Sequence, residues 1–161
     1  MARVPDVTEL LTDFRLLLAF GFGTGLAPKA PGTAGTVVGL MLYLVLPEMP
    51  VWQYVVLCLV MSVVGVWLCE YAANWSGVKD HPGIVFDEIV GYLVTMTFAP
   101  AGLGWALLGF LLFRVFDILK PFPIDVLDKN CRGGFGIMID DIVAGFAALA
   151  SLQFIVWLVQ V

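Results

Sequence analysis

The sequence predicts an all-α fold: a polytopic membrane helical bundle of about five membrane segments with an N-terminal amphipathic helix, all in one domain over 1–161. Three observations carry that prediction. Hydrophobic residues make up 61% of the chain and charged residues only 13%, whereas a soluble domain carries about 25% charged residues. Four long runs (30–47, 51–69, 89–113 and 142–161) contain no Asp, Glu, Lys or Arg. Once the run 89–113 is divided at 98–104, finally, connections that hold basic residues alternate with connections that hold none.

Each element follows in order. Over 5–20, "PDVTELLTDFRLLLAF" places Leu10, Leu11, Phe14, Leu17 and Leu18 at helical spacing. It reads as an amphipathic helix on the membrane surface or packed on the bundle. "GFGTGLAPKAPGT" (21–33) is a glycine- and proline-rich loop. Spans are expected near 33–47, 51–70, 84–99, 103–120 and 141–159, each judged against the roughly 20 apolar residues that cross a bilayer. The run 89–113 is divided because "FAPAGLG" (98–104) makes a turn. The first segment is short and glycine-rich enough to be re-entrant.

Arg3, Arg15 and Lys29 precede the first span, Lys79 follows the second, and Lys120, Lys129 and Arg132 follow the fourth. The turns at 47–50 and 100–104 hold no basic residue. The positive-inside rule then predicts a multi-pass protein of the cytoplasmic membrane, N-terminus inside and C-terminus outside. The net charge of −5 gives no support for nucleic-acid binding. The three cysteines show no metal-binding spacing, and Cys58 and Cys69 read as small packing residues.

This topology gathers four polar stretches on one side. The loop 21–33 offers backbone donors with Thr24, Thr33 and Lys29; it matches neither a dinucleotide-binding nor a Walker A pattern. "KDHPGIVFDEIVG" (79–91) sets Asp87 and Glu88 at the start of the third span. Asp80 and His81 precede them, and His81 is expected to be a solvated loop residue. In "FRVFDILKPFPIDVLDKN" (113–130), Arg114, Asp117 and Lys120 recur every third residue near one helix face. Asp125, Asp128 and Lys129 are expected to be solvated loop charges. "RGGFGIMIDDIVAG" (132–145) leads a glycine-rich loop into Asp140 and Asp141 at the start of the last span.

Each stretch alone has an ordinary explanation, such as carboxylates at a helix N-terminus or a snorkelling lysine. Together they put Asp87, Glu88, Asp117, Asp140 and Asp141 at one membrane face. Five carboxylates at low dielectric cannot all stay ionised without a cation. Hard oxygen ligands suit Mg²⁺, and Lys29, Arg114 and Lys120 add charge complementary to a phosphate. The residues therefore point to metal-assisted phosphoryl chemistry on an amphiphile that reaches the membrane interface.

At these same residues the sequence resembles the phosphatidylglycerophosphatase A family, through "GFGTGLAPKAPGTAG" (21–35), "DHPGIVFDEIVG" (80–91), "FRVFDILKPFPI" (113–124) and "GGFGIMIDDIVAG" (133–145). The resemblance implies a Mg²⁺-dependent, multi-pass bacterial inner-membrane phosphatase, converting the phospholipid phosphatidylglycerophosphate to phosphatidylglycerol and inorganic phosphate. It also implies a compact helical bundle. On this reading Asp87, Glu88, Asp140 and Asp141 hold the metal and Asp117 joins them in catalysis. Thr24, Lys29, Arg114 and Lys120 meet the substrate phosphate, and membrane lipids surround the chain. The alternative is a small cation-coupled transporter or channel using the same carboxylates. Such proteins place their acids near the midplane of repeated halves, and no repeat is present here.

Overall fold

The computed structural model describes residues 3–78 and 81–160. Among them the elements are α1 (Val7–Thr12), α2 (Phe14–Ala19), a 3-10 turn (Gly21–Leu26), α3 (Pro31–Val45), α4 (Val51–Ser76), α5 (Phe86–Thr95), α6 (Leu103–Leu119), α7 (Ile124–Asn130) and α8 (Gly133–Gln160). There is no strand among these residues, so the bundle is all-helical. Lys79 and Asp80, singled out in the sequence, lie outside the described residues.

The helix expected over 5–20 is two helices. Asp13 is extended (φ −119°, ψ 101°), closing α1 and capping α2 through the Arg15 amide. Its carboxylate accepts from Arg15 Nε at 2.9 Å and from the Tyr71 hydroxyl at 2.6 Å. Arg15 in turn lies 3.9 Å over the Tyr71 ring. The break thus pins both short helices to α4. The Arg15 guanidinium beside Asp13 holds its carboxyl well below the usual carboxylate range.

Five helices coincide with the five expected segments, but only α4 and α8 are long and apolar enough to cross a membrane. Prolines bound the shorter ones: Pro47 follows α3, Pro100 follows α5, and Pro121 follows α6. α5 has 10 residues, a length of roughly 15 Å at about 1.5 Å per residue. It is nonetheless the hub, packed against α3, α4, α6 and α8. All of its residues except Glu88 are buried. It meets α8 at glycines: a Cβ on Gly145 would lie 2.5 Å from the Gly91 carbonyl oxygen, so the two backbones touch.

The outward faces are apolar. Val63 and Trp67 on α4, Leu111 and Ile118 on α6, and Phe154 and Trp157 on α8 are all exposed. The two ends of the bundle differ in chemistry. One end gathers the starts of α3, α5 and α8 and the ends of α4 and α6, with every described Lys and Arg. The turns at the other end, 46–50 and 96–102, carry Glu48 alone.

Candidate active site

Asp87 and Glu88 occupy the first turn of α5, which has no side-chain cap. The Val85 amide donates to the Ala19 carbonyl at 2.9 Å and anchors this turn on the end of α2. The start of α3 closes in from another side. Gly32 stands where Glu88 and Arg114 converge, and a Cβ there would overlap Glu88 Oε1.

Asp140 and Asp141 are not at a helix start. The stretch expected to be a loop, from Gly133, is already α8, so the two acids lie about two turns inside it. The helix begins early because Glu70 of α4 accepts from the Gly134 amide. A carboxylate borrowed from a neighbouring helix thus satisfies the positive end of α8.

One carboxylate oxygen from each of Asp87, Glu88 and Asp141 lies within 4.8 Å of the others. Asp87 Oδ1, Glu88 Oε2 and Asp141 Oδ2 are buried without a hydrogen-bond partner among the described residues. Asp87 is 9% exposed and Asp141 3%. Uncompensated buried carboxylates cost several kcal/mol each. An all-oxygen trio with unpartnered atoms therefore fits a hard divalent cation.

The other two acids have basic partners. Arg114 donates to Asp117, and its Nη1 lies 3.4 Å from the Thr36 hydroxyl. Lys120 ends α6 in the left-handed region (φ 41°). Its Nζ donates to Asp140 Oδ2 at 2.7 Å and to Asp128 Oδ1 at 2.6 Å. Asp140 is thereby drawn toward Lys120 and stands outside the close trio. All five acids and Lys120 line one cavity of about 310 Å³.

The structure separates two further expected residues from this cavity. The Thr24 hydroxyl donates to the Gly21 carbonyl at 2.7 Å and borders a different, apolar groove. Lys29 is exposed and does not line the cavity.

The expected solvation of His81 and the expected loop position of Asp128 are corrected. His81 is 5% exposed and lines the cavity. Its Nδ1 accepts from the Gly83 amide at 3.0 Å, and its ring packs 5.3 Å from Phe20. The Pro82–Gly83 turn after it was the available signal, since such a turn brings the Gly83 amide back to the histidine ring. Asp128 lies on α7 rather than in a loop, paired with Lys120 across the cavity mouth. Glu70 and Arg132 carry no sequence pattern that marks them; their roles come from the α4–α8 crossing and from the position of α7.

Known proteins are similar to the chain over most of its length. The family model described as Phosphatidylglycerophosphatase A matches residues 17–156. The chain is 43% identical to phosphatidylglycerophosphatase A of Escherichia coli over 141 residues, covering 86% of this chain and 81% of that one. It is 44% identical to phosphatidylglycerophosphatase A of Haemophilus influenzae over 138 residues, covering 83% of each. No solved structure matches the chain significantly.

Proposed function

The chain belongs to the phosphatidylglycerophosphatase A family, and from that membership we propose that it is a Mg²⁺-dependent phosphatase of phosphatidylglycerophosphate, releasing phosphatidylglycerol and inorganic phosphate. One observation carries the assignment of the site: the close trio Asp87, Glu88 and Asp141, each with a buried unpartnered oxygen, in a cavity that also holds Lys120.

Asp87, Glu88 and Asp141 would hold the divalent cation, which when bound neutralises the phosphate and polarises a phosphoryl oxygen. Lys120 has three rotatable donors, and an incoming phosphate oxygen replaces Asp128 as one of its partners. Arg114 orients Asp117. Asp117 is the cavity acid outside both the trio and the Lys120 pair, so it is placed to take the proton of the attacking water. As water adds to phosphorus, the bond to the glycerol oxygen breaks. That oxygen takes up, through water, the proton that Asp117 received and leaves as the free hydroxyl of phosphatidylglycerol.

We place the protein in the bacterial inner membrane as a multi-pass chain with its N-terminus and cavity toward the cytoplasm. The basic residues at the cavity end support that orientation, and the apolar outward faces of α4, α6 and α8 suit hydrocarbon.

The test is phosphate release in detergent micelles with and without Mg²⁺, on phosphatidylglycerophosphate and on phosphatidic acid. Mg²⁺-dependent release from phosphatidylglycerophosphate is expected. No release from either lipid overturns the assignment.

A further inference from the structure

The cavity has two electrostatic poles. Its floor is anionic and buried: Asp87, Asp117, Asp140 and Asp141 are 3–9% exposed. Its mouth has a surplus of cations: Lys129 and Arg132, both exposed, line it at the junction of α7 and α8, beside the exposed Asp128, which pairs with Lys120. Lys120 stands between the poles, paired to an acid on each side.

The mouth cations are not committed to the fold. Among the described residues, none forms an ion pair with Arg132. Lys129 pairs only with Asp125, one turn back on its own helix, at 3.1 Å and with its side chain 70% exposed. Such a pair contributes little to stability and yields readily to a stronger anion.

The substrate proposed above carries two phosphates on either side of a glycerol. The terminal monoester is the one cleaved and belongs on the floor. The diester joining the headgroup to the lipid is then left at the mouth. We infer that Arg132 and Lys129 form an anion subsite there which grips this surviving phosphodiester, selecting a lipid with two phosphates over one with a single phosphate. A guanidinium matches two phosphate oxygens at once, and the neighbouring ammonium adds a point charge. Phosphatidic acid, with its only phosphate on the floor, brings no anion to the mouth. The inference rests on the proposed function, because it concerns the same cavity.

The experiment compares wild type with Arg132→Gln and with the double variant Arg132→Gln, Lys129→Gln in mixed micelles. The first readout is KM for phosphatidylglycerophosphate. The second is inhibition by two products added separately: phosphatidylglycerol, which keeps the diester, and inorganic phosphate, which visits only the floor. Losing a charge-assisted contact should raise KM and weaken inhibition by phosphatidylglycerol about tenfold or more. Inhibition by inorganic phosphate should hold. Equal weakening of both inhibitors, or of neither, overturns the subsite while leaving the phosphatase assignment standing. Failure of wild type to release phosphate at all would strike the assignment itself.

Discussion

Lys120 Nζ lies 2.7 Å from Asp140 Oδ2, tying the end of α6 to the third turn of α8. Asp140 is 6% exposed, so removing its partner strands a buried charge. Lys120→Met should therefore destabilise the protein by about 3 kcal/mol, read as thermal unfolding in detergent. Adding Asp140→Asn should recover much of that loss without restoring turnover. A double variant no more stable than Lys120→Met would mean that the pair is not what holds these helices.

The trio Asp87, Glu88 and Asp141 should govern cation binding as well as rate. Asp87→Asn, Glu88→Gln and Asp141→Asn should each cut turnover by about a hundredfold or more. Each should also abolish the rise in melting temperature that Mg²⁺ gives wild type. Asp125→Asn should keep both properties, because that acid pairs with Lys129 outside the trio. A full Mg²⁺ shift in Asp141→Asn would remove Asp141 from the ligand set.

Gly32→Ala tests the approach of α3. Its Cβ would overlap Glu88 Oε1, the free end of a flexible side chain. The fold should survive while Glu88 swings out of the trio. The expected result is weaker Mg²⁺ dependence with a melting temperature close to wild type in the absence of the ion. Unchanged Mg²⁺ response would show that Glu88 reaches the trio by another rotamer.

Asp13 gives the N-terminal pair of helices a pH dependence. Its folded pKa is depressed from 3.8 by Arg15 and Tyr71. A depressed carboxylate stabilises the folded state above its unfolded value and loses that contribution as pH falls through the folded one. Docking of α1 and α2 should hold from neutral pH down to about 3.8 and weaken only below it. Asp13→Asn should loosen them already at pH 7. Hydrogen exchange over residues 7–19 measures both, and equal protection in the variant at pH 7 counts against the anchor.

Orientation can be read from cysteine labelling in a Cys131→Ser background, the other two cysteines being buried. A membrane-impermeant maleimide should reach Ala101→Cys from outside intact cells. It should reach Lys129→Cys only after permeabilisation. The reverse pattern would invert the topology.

That the acids gather in one cavity was legible because carboxylates in an apolar chain stand out: "FDEIVG" and "FRVFDILK" place them near helix ends, and "IMIDDIVAG" places them about two turns from one. Helix type was legible from the length of the charge-free runs. What escaped depended on contacts between distant segments. The early start of α8 needs Glu70, sixty-four positions before Gly134, and no local pattern reveals that cap. The break at Asp13 needs Tyr71 on α4. His81 looked solvated because it sits in a polar stretch, yet packing against Phe20 brings it to the cavity, and Asp128, though exposed, reaches the same cavity through Lys120. An apolar run records composition, while Pro47 and Pro121 limit how much of it becomes helix, so two helices among the described residues reach spanning length.

The burial of α5 has a consequence for how the chain is made. This helix is covered most extensively by α8, and α8 is synthesised after it. Until then α5 emerges with Asp87 and Glu88 at its leading edge and the Gly91 face open. Hydrocarbon is a poor host for a helix of that length and charge, so its burial should be a cooperative event that waits for α8 to emerge. A ribosome stalled within α7 would leave a chain that has every ligand of the first acidic pair and no membrane-stable place to put it.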